Sequence, residues 1–284
     1  MKGHVNSTGA EETDRMQDKS QDNTVVKEKN PLPFSFRFGN LQGVGAREKQ
    51  EDSFAFSNVF DASAKDGGIL AVIADGMGGL QNGKTASETA VSVIRDGFAA
   101  INYDDNIPNQ LINLVRLAGE RVEEAVQGKG GSTLVSVVIL KDQLYFASLG
   151  DSYLFLRRGE YLTRLNRFHT VLTDARADLI SDGVMDPDDV ILDDNPSALT
   201  EFLGKNPIQS IDSFAYPLKL RVNDVVLLCT DGIGGSVKNS AIYQALSNNT
   251  PTQMCMALET LVKNQNSRYQ DNYTALVIQC AFPE

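Results

Sequence analysis

Residues 69–79 read ILAVIADGMGG, an apolar run that ends in an acidic, glycine-rich segment. The apolar run Ile69–Ala74 predicts a β-strand. Asp75 and Gly76 follow it directly. Taken alone, an Asp-Gly pair after a strand is typical of a β-turn, because glycine adopts positive φ and aspartate bonds its own backbone.

The same arrangement recurs along the chain, with an apolar run beside a carboxylate and a small residue. LGDS (149–152) and CTDGIGG (229–235) each close such a run, whereas DN (271–272) precedes one. Nearer the start, REKQEDS (47–53) places an arginine four positions ahead of an acidic pair. The acids at these positions are Glu51, Asp52, Asp75, Asp151, Asp231 and Asp271. If the strand ends meet in space, the carboxylates repel one another, and a positive group must lie among them.

Hard divalent cations are the natural candidates for that positive group. Mg²⁺ and Mn²⁺ prefer oxygen ligands in octahedral geometry, and a glycine beside an aspartate lets a backbone carbonyl reach the ion. Zinc is disfavoured because the chain has only 2 histidines, His4 and His169, and no Cys/His spacing fits. The 3 cysteines lie in apolar surroundings and none begins a Cys-x5-Arg loop, which excludes thiol-based phosphatase chemistry.

The hydrophobic patterns predict strands in hairpins and helices in consecutive pairs. Residues 133–149 and 153–165 read as two hairpins, the first joined by Lys141-Asp142. Helical periodicity covers 85–101, 109–126 and 252–262. This layout indicates an α+β fold with antiparallel sheets rather than a regular βαβ alternation.

Composition limits the classes of partner. The 284 residues carry a formal net charge of −11, which gives no electrostatic reason to bind nucleic acid or an anionic membrane. No stretch reads as a secretory signal or membrane span, so we expect a soluble, cytoplasmic protein. Residues 1–33 are polar and lack apolar clusters, and we expect a flexible N-terminal arm there, followed by one domain at residues 34–284.

Taken in order, the motifs resemble those of the PP2C (PPM) family of metal-dependent serine/threonine protein phosphatases, most closely its bacterial members. The similarity extends over nearly all of the chain after the arm. The matching motifs are Arg47…Glu51-Asp52, Asp75-Gly76-Met77-Gly78-Gly79, Gly131-Ser132-Thr133, Gly150-Asp151-Ser152, Thr230-Asp231-Gly232 and Asp271-Asn272. The resemblance implies a four-layer αββα architecture, in which a sandwich of two antiparallel β-sheets is flanked by pairs of α-helices.

The resemblance also implies a centre of two divalent ions, Mn²⁺ or Mg²⁺. Asp75 would bridge them, Asp231 and Asp271 would complete one site, and Glu51 with the Gly76 carbonyl would complete the other. Asp151 would join Asp231 in a third, weaker site. Asp52 would hold metal-bound water without touching an ion, and Arg47 would bind the substrate phosphate.

The implied activity is hydrolysis of phosphoserine and phosphothreonine in proteins by a metal-activated bridging water or hydroxide. The implied partners are phosphoprotein substrates and a bacterial Ser/Thr kinase that the enzyme opposes. Two alternatives remain open from the residues: a catalytically silent regulatory or binding module, and a phosphatase of small phosphoesters. Because Glu51, Asp75, Asp231 and Asp271 are all present, the silent module is the less favoured of these.

Several positions depart from the family pattern, and two of them lie in motifs of the predicted site. Gln50 stands where asparagine usually precedes the Glu-Asp pair, and we expect its longer amide to cap the same turn. Met77 occupies a position where eukaryotic members have a histidine. The only imidazole in the domain, that of His169, is expected to have a structural role rather than to act as a general acid.

Overall fold

The computed structural model describes residues 34–57, 68–78, 82–181 and 195–282. All of these belong to one unit that spans Leu32–Glu284. The predicted arm, residues 1–33, lies outside the described residues, so its flexibility stays a prediction.

Two antiparallel sheets account for most strands, which are numbered here in chain order. The first sheet contains, in spatial order, β1 (Ser35–Gly43), β13 (Tyr273–Ala281), β12 (Val225–Cys229), β8 (Tyr153–Arg158) and β9 (Tyr161–Arg164). The second contains β10 (Asp212–Ser213), β7 (Gln143–Leu149), β6 (Leu134–Leu140), β3 (Ile69–Ala74) and β2 (Ser53–Ser57), with β11 (Leu218–Lys219) also paired to β7. A short ribbon joins β4 (Gly76–Met77) to β5 (Gly131–Ser132).

The helices lie outside the sheets. They are α1 (Asn82–Phe98), α2 (Ile107–Val126), α3 (Val171–Ser181), α4 (Asp231–Gly234), α5 (Asn239–Ala245) and α6 (Pro251–Asn264). Asn106 and Thr250 cap α2 and α6 through their side-chain oxygens, and each is followed by a helix with proline in its first turn. Among the described helices, none is long and apolar enough to cross a membrane.

Three hydrophobic cores separate four layers. Helices α1 and α2 pack on one face of the second sheet, where Leu70 and Val72 of β3 contribute. The opposite face of β3, with Ile69 and Ile73, packs against the first sheet. Helices α5 and α6 cover the far face of the first sheet. The predicted four-layer αββα sandwich is therefore confirmed, and β3 is apolar throughout because both of its faces are buried.

The predicted elements are present with shifted ends. Helix α1 covers Asn82–Phe98, where the pattern predicted 85–101, because the chain leaves the α-helix in tight i to i+3 turns at Ala100 and Ile101. The first hairpin has its turn at Lys141, which adopts positive φ. Strands β1 and β2 were not predicted, since their partly exposed residues form no continuous apolar run.

Candidate metal centre

The acids singled out in the sequence meet at one end of the sandwich. A cavity of about 290 Å³ opens there between the strand ends. Its lining includes Arg47, Glu51, Asp75, Gly76, Asp151, Asp231 and Asp271. The structure thus brings together seven of the eight predicted site residues, and the eighth, Asp52, lies buried next to this cavity.

The backbone of Asp75 is held by Ser132 and Thr133, which follow helix α2. The Thr133 hydroxyl accepts a hydrogen bond from the Asp75 amide at 3.0 Å. The Asp75 carbonyl accepts from the Ser132 hydroxyl and from the Thr133 amide, both at 2.9 Å. The Thr133 and Ser152 hydroxyls are 2.7 Å apart, which joins this turn to the Gly150-Asp151-Ser152 turn. The small hydroxyl residues beside the glycines therefore fix the backbone of two acidic turns.

Asn272 organises the other side of the cavity. Its side-chain oxygen accepts from the Glu51 amide at 2.7 Å, and its amide nitrogen donates to the carbonyls of Val44 and Lys49, both at 2.9 Å. One amide side chain therefore satisfies three backbone groups of the loop that carries Arg47 and Glu51. Sequence reasoning noted Asn272 only as a motif member and missed this bracing role.

Side chains of helix α1 and of Gln50 also hold the backbone of Glu51 and Asp52. Lys84 donates from its ammonium group to the Asp52 carbonyl at 2.9 Å, and the Ser87 hydroxyl donates to the Glu51 carbonyl. The Gln50 side chain accepts from the Asp52 amide at 2.8 Å and donates to the Gly43 carbonyl at 2.8 Å. The longer amide therefore caps this turn as predicted.

Asp52 is a fully buried carboxyl group. Its Oδ2 atom accepts hydrogen bonds from Thr274 at 2.7 Å and from Thr230 at 3.1 Å. Burial raises the pKa of Asp52 to about 7, although both threonine hydroxyls oppose the shift. Its other oxygen, Oδ1, is buried without a hydrogen-bond partner among the described residues.

Burial, together with repulsion from neighbouring carboxylates, raises the pKa values of Asp75, Asp231 and Asp151. Burial, followed by repulsion from Asp52 and Asp231, raises the pKa of Asp75 well above its ordinary value. Burial and then repulsion from Asp271 raise the pKa of Asp231. Burial and then repulsion from Asp231 raise the pKa of Asp151 to about 6. The cavity therefore disfavours negative charge unless a cation is present.

Arg47 lies at the mouth of the cavity and forms an ion pair with Asp271, with 2.6 Å between Nη2 and Oδ2. The two side chains are 58% and 40% exposed, so the pair is accessible to solvent. The partner of Arg47 is therefore one of the predicted metal ligands.

The donor set fits hard divalent cations. The Glu51 Oε1, Asp52 Oδ1 and Asp231 Oδ1 atoms are all buried without a hydrogen-bond partner among the described residues. Three orphaned carboxylate oxygens in one region are the ligands that Mg²⁺ and Mn²⁺ favour. Among the described residues, no group of three or more His, Cys, Asp or Glu side chains is already placed to hold a metal ion. One predicted ligand, Asp271, instead accepts a hydrogen bond from Arg47.

Gly76 stands where no side chain fits. A Cβ atom there would lie 2.1 Å from the Gly83 carbonyl oxygen and 2.8 Å from the Glu51 carbonyl oxygen. The backbone at Asp75-Gly76 and the Glu51 loop therefore approach each other as closely as main chains can, which keeps the acids on the two segments together.

His169 lies away from the cavity lining. It is 3% exposed, and its Nδ1 accepts from the Gly150 amide at 3.3 Å while its own amide donates to the Gly150 carbonyl. Burial lowers the pKa of His169. These contacts support the predicted structural role, in which the imidazole anchors the turn that carries Asp151.

Comparison with known proteins gives the same assignment as the geometry. The profile of the family described as Protein phosphatase 2C matches residues 47–265. The chain is 25% identical over 224 residues to the serine/threonine phosphatase stp of Listeria monocytogenes, covering 76% of this chain and 86% of that protein. It is 26% identical over 221 residues to the protein phosphatase PhpP of Streptococcus pneumoniae, covering 75% of this chain and 86% of that protein.

Solved structures share the fold. The serine/threonine phosphatase PstP/Ppp of Mycobacterium tuberculosis superimposes with a TM-score of 0.70 at 22% identity, covering 87% of this chain and 99% of that chain. The catalytic domain of PstP in complex with 2 manganese ions superimposes with a TM-score of 0.68 at 22% identity, covering 87% and 99% of the two chains. With a profile match over most of its length, the chain belongs to the protein phosphatase 2C family.

Proposed function

We propose that the chain is a divalent-metal-dependent serine/threonine protein phosphatase that hydrolyses phosphoserine and phosphothreonine in proteins. The observation that carries this proposal is the acidic cavity, where buried carboxylate oxygens without partners lie beside a solvent-accessible arginine. Membership of the protein phosphatase 2C family and similarity to proteins named serine/threonine phosphatase support it.

The proposed ligands of the metal ions are the acids at the strand ends. Asp75 would be shared by two ions, with Asp231 and Asp271 on one side and Glu51 with the Gly76 carbonyl on the other. Asp151 and Asp231 would hold a third. Mn²⁺ or Mg²⁺, when bound, supplies Lewis-acid chemistry that lowers the pKa of bound water and neutralises charge on phosphoryl oxygens.

Arg47 is proposed to bind the phosphate group of the substrate. Its guanidinium is permanently charged and planar, and two of its N–H groups match two phosphate oxygens. In the structure it bonds the Asp271 carboxylate, an oxyanion of similar geometry, at 2.6 Å. Substrate binding would therefore exchange one oxyanion partner for another, and it would release Asp271 to its metal site.

Asp52 is proposed to hold and orient the attacking water. Its Oδ2 atom is fixed by Thr274 and Thr230, so Oδ1 is the carboxylate oxygen left to accept a hydrogen bond.

The proposed setting is the cytoplasm, where the enzyme would oppose a Ser/Thr kinase by acting on that kinase or on its targets. The 3 cysteines are free and buried, which is compatible with a reducing compartment.

The test is hydrolysis of p-nitrophenyl phosphate and of a phosphothreonine peptide with Mn²⁺, Mg²⁺ or EDTA. Asp231→Ala is compared with the matched surface variant Asp96→Ala, whose carboxylate is 65% exposed on α1. We expect metal-dependent turnover that Asp231→Ala abolishes and Asp96→Ala retains, with the peptide preferred in kcat/KM. Turnover that survives EDTA and Asp231→Ala would overturn the metal mechanism. Preference for small esters would identify a small-phosphoester phosphatase, and metal binding without turnover would identify a silent module.

A further inference from the structure

Leu199 brings an apolar side chain into the lining of the acidic cavity. Among the described residues of that lining, Leu199 and Met77 carry the only large apolar side chains, and both are partly exposed. Metal ions of the kind this site favours prefer oxygen ligands, so an apolar side chain contributes nothing to holding them. It suits instead the carbon-rich part of a substrate that carries the phosphoryl group.

The backbone around Leu199 is tied to the start of helix α3. Leu199 forms an antiparallel bridge with Thr170, the residue before the helix. The next amide, that of Thr200, donates to the His169 carbonyl at 2.9 Å. The place of Leu199 in the cavity lining therefore depends on where the start of α3 lies.

Helix α3 is not held by hydrophobic packing. None of its residues, Val171–Ser181, is buried. By contrast, α1, α2, α5 and α6 each bury apolar residues against the rest of the protein. A helix without a buried apolar stripe must be attached by polar contacts.

Asp174, in the first turn of α3, supplies two such contacts through one carboxylate. Its Oδ1 atom accepts from Nη2 of Arg167 at 2.7 Å, and its Oδ2 atom accepts from the Thr200 hydroxyl at 2.6 Å. Both bonds are short because the acceptor is charged. Arg167 precedes the helix, and Thr200 belongs to the segment that carries Leu199. One carboxylate therefore joins α3 to the segments on both sides of it.

We propose that Asp174 is a positioning residue for the phosphoprotein substrate. By holding Thr200 and the start of α3 together, it keeps Leu199 in the cavity lining, where Leu199 contacts the polypeptide around the phosphorylated residue. This inference rests on the proposed function, because it assigns a substrate contact of the same site. Asp174 lies outside the described lining of the cavity, so it acts on substrate binding and not on the chemical step.

Steady-state kinetics with Mn²⁺, on a phosphothreonine peptide and on p-nitrophenyl phosphate, test this proposal. Asp174→Ala removes both contacts, and Thr200→Val removes one donor. Asp174→Asn keeps an acceptor for Thr200 but loses the charge that pairs with Arg167. The matched control is Asp178→Ala, which removes the same charge from an exposed residue about one turn further along α3.

We expect Asp174→Ala to raise KM for the peptide about tenfold with kcat unchanged. Asp174→Asn and Thr200→Val should give smaller increases, and Asp178→Ala none. The kcat for p-nitrophenyl phosphate should be the same in all of these proteins, which a general loss of structure would not allow. The double variant Asp174→Ala/Thr200→Val should be no weaker than Asp174→Ala, because both changes remove the same contact.

A peptide KM that is equal in Asp174→Ala and Asp178→Ala would overturn the proposal. A fall in kcat for p-nitrophenyl phosphate as large as the change for the peptide would also overturn it. If Asp174→Ala folds poorly, Thr200→Val gives an independent reading, since it replaces only a hydroxyl group. If the parent hydrolyses neither substrate, the proposed function fails. Fluorescence anisotropy of the labelled peptide then decides this inference, which requires weaker binding to Asp174→Ala than to Asp178→Ala.

Discussion

Asp52→Asn should stabilise the metal-free protein, and the gain should increase with pH. The parent carboxyl is fully buried, and its pKa is raised from 3.8 to about 7. Asparagine keeps the shape and can accept from Thr274 and Thr230 through its oxygen. It removes the charge that burial disfavours.

The sign follows from proton linkage. A carboxyl whose pKa is raised in the native state binds more protons there than in the unfolded state. The contribution of Asp52 to stability is therefore complete below its unfolded pKa of 3.8 and is lost as the pH rises through about 7. Between pH 5 and pH 8 the loss amounts to about 2 to 3 kcal/mol. Asparagine does not titrate, so its advantage over aspartate should grow by that amount.

Thermal unfolding in EDTA at pH 5 and pH 8 measures the effect. A change of this size corresponds to a difference in Tm that grows by roughly 5 to 10 °C between the two pH values. The matched control, Asp96→Asn on the surface of α1, should show no such growth. A Tm difference between Asp52→Asn and the parent that is the same at both pH values would refute the reasoning. With Mn²⁺ restored, Asp52→Asn should lower kcat by about a hundredfold if Asp52 orients the attacking water.

Three further predictions follow from other contacts. Arg47→Ala should raise KM for a phosphopeptide about tenfold. The affinity for Mn²⁺ should stay equal or improve, because Asp271 loses its competing partner. Weaker Mn²⁺ binding in a calorimetric titration would contradict this. Asp224→Ala should lower the free energy of unfolding by about 3 to 5 kcal/mol in a urea titration. The variant removes the carboxylate that accepts from two N–H groups of Arg158. A loss below about 1 kcal/mol would argue against this prediction. Removing metal with EDTA should lower Tm more at pH 8 than at pH 5, because ionised acids then repel without a cation, and an equal drop would count against a shared acidic site.

The sequence predicted the parts of the site whose signal is local. Asp75, Asp151 and Asp231 each follow an apolar run and lie beside a glycine, so a short window reveals both the strand and its carboxylate. The α+β class with antiparallel sheets could be predicted for a similar reason, since hairpins and helix pairs are short-range patterns. The αββα layering followed from the family resemblance.

The contacts that complete the site join distant residues and left no local signal. Arg47 and Asp271 are 224 positions apart, and the Asn272 side chain reaches back 221 positions to the Glu51 amide. Strand β1 was missed because its buried residues, Phe36 and Leu41, are separated by partly exposed residues, and its identity as a strand depends on pairing with β13. Tertiary pairing, rather than propensity, decides these features.

The position of β13 has a consequence for synthesis of the protein. It is the last of the described strands, yet it lies between β1 and β12, and Asn272 immediately before it braces the loop of Arg47 and Glu51. While the chain emerges from the ribosome, β1 therefore has no neighbour until more than 200 residues have followed it. A fragment that ends before Tyr273 could not close the first sheet, because β13 joins β1 to β12, so this sheet forms only after the segment that contains β13 has been synthesised.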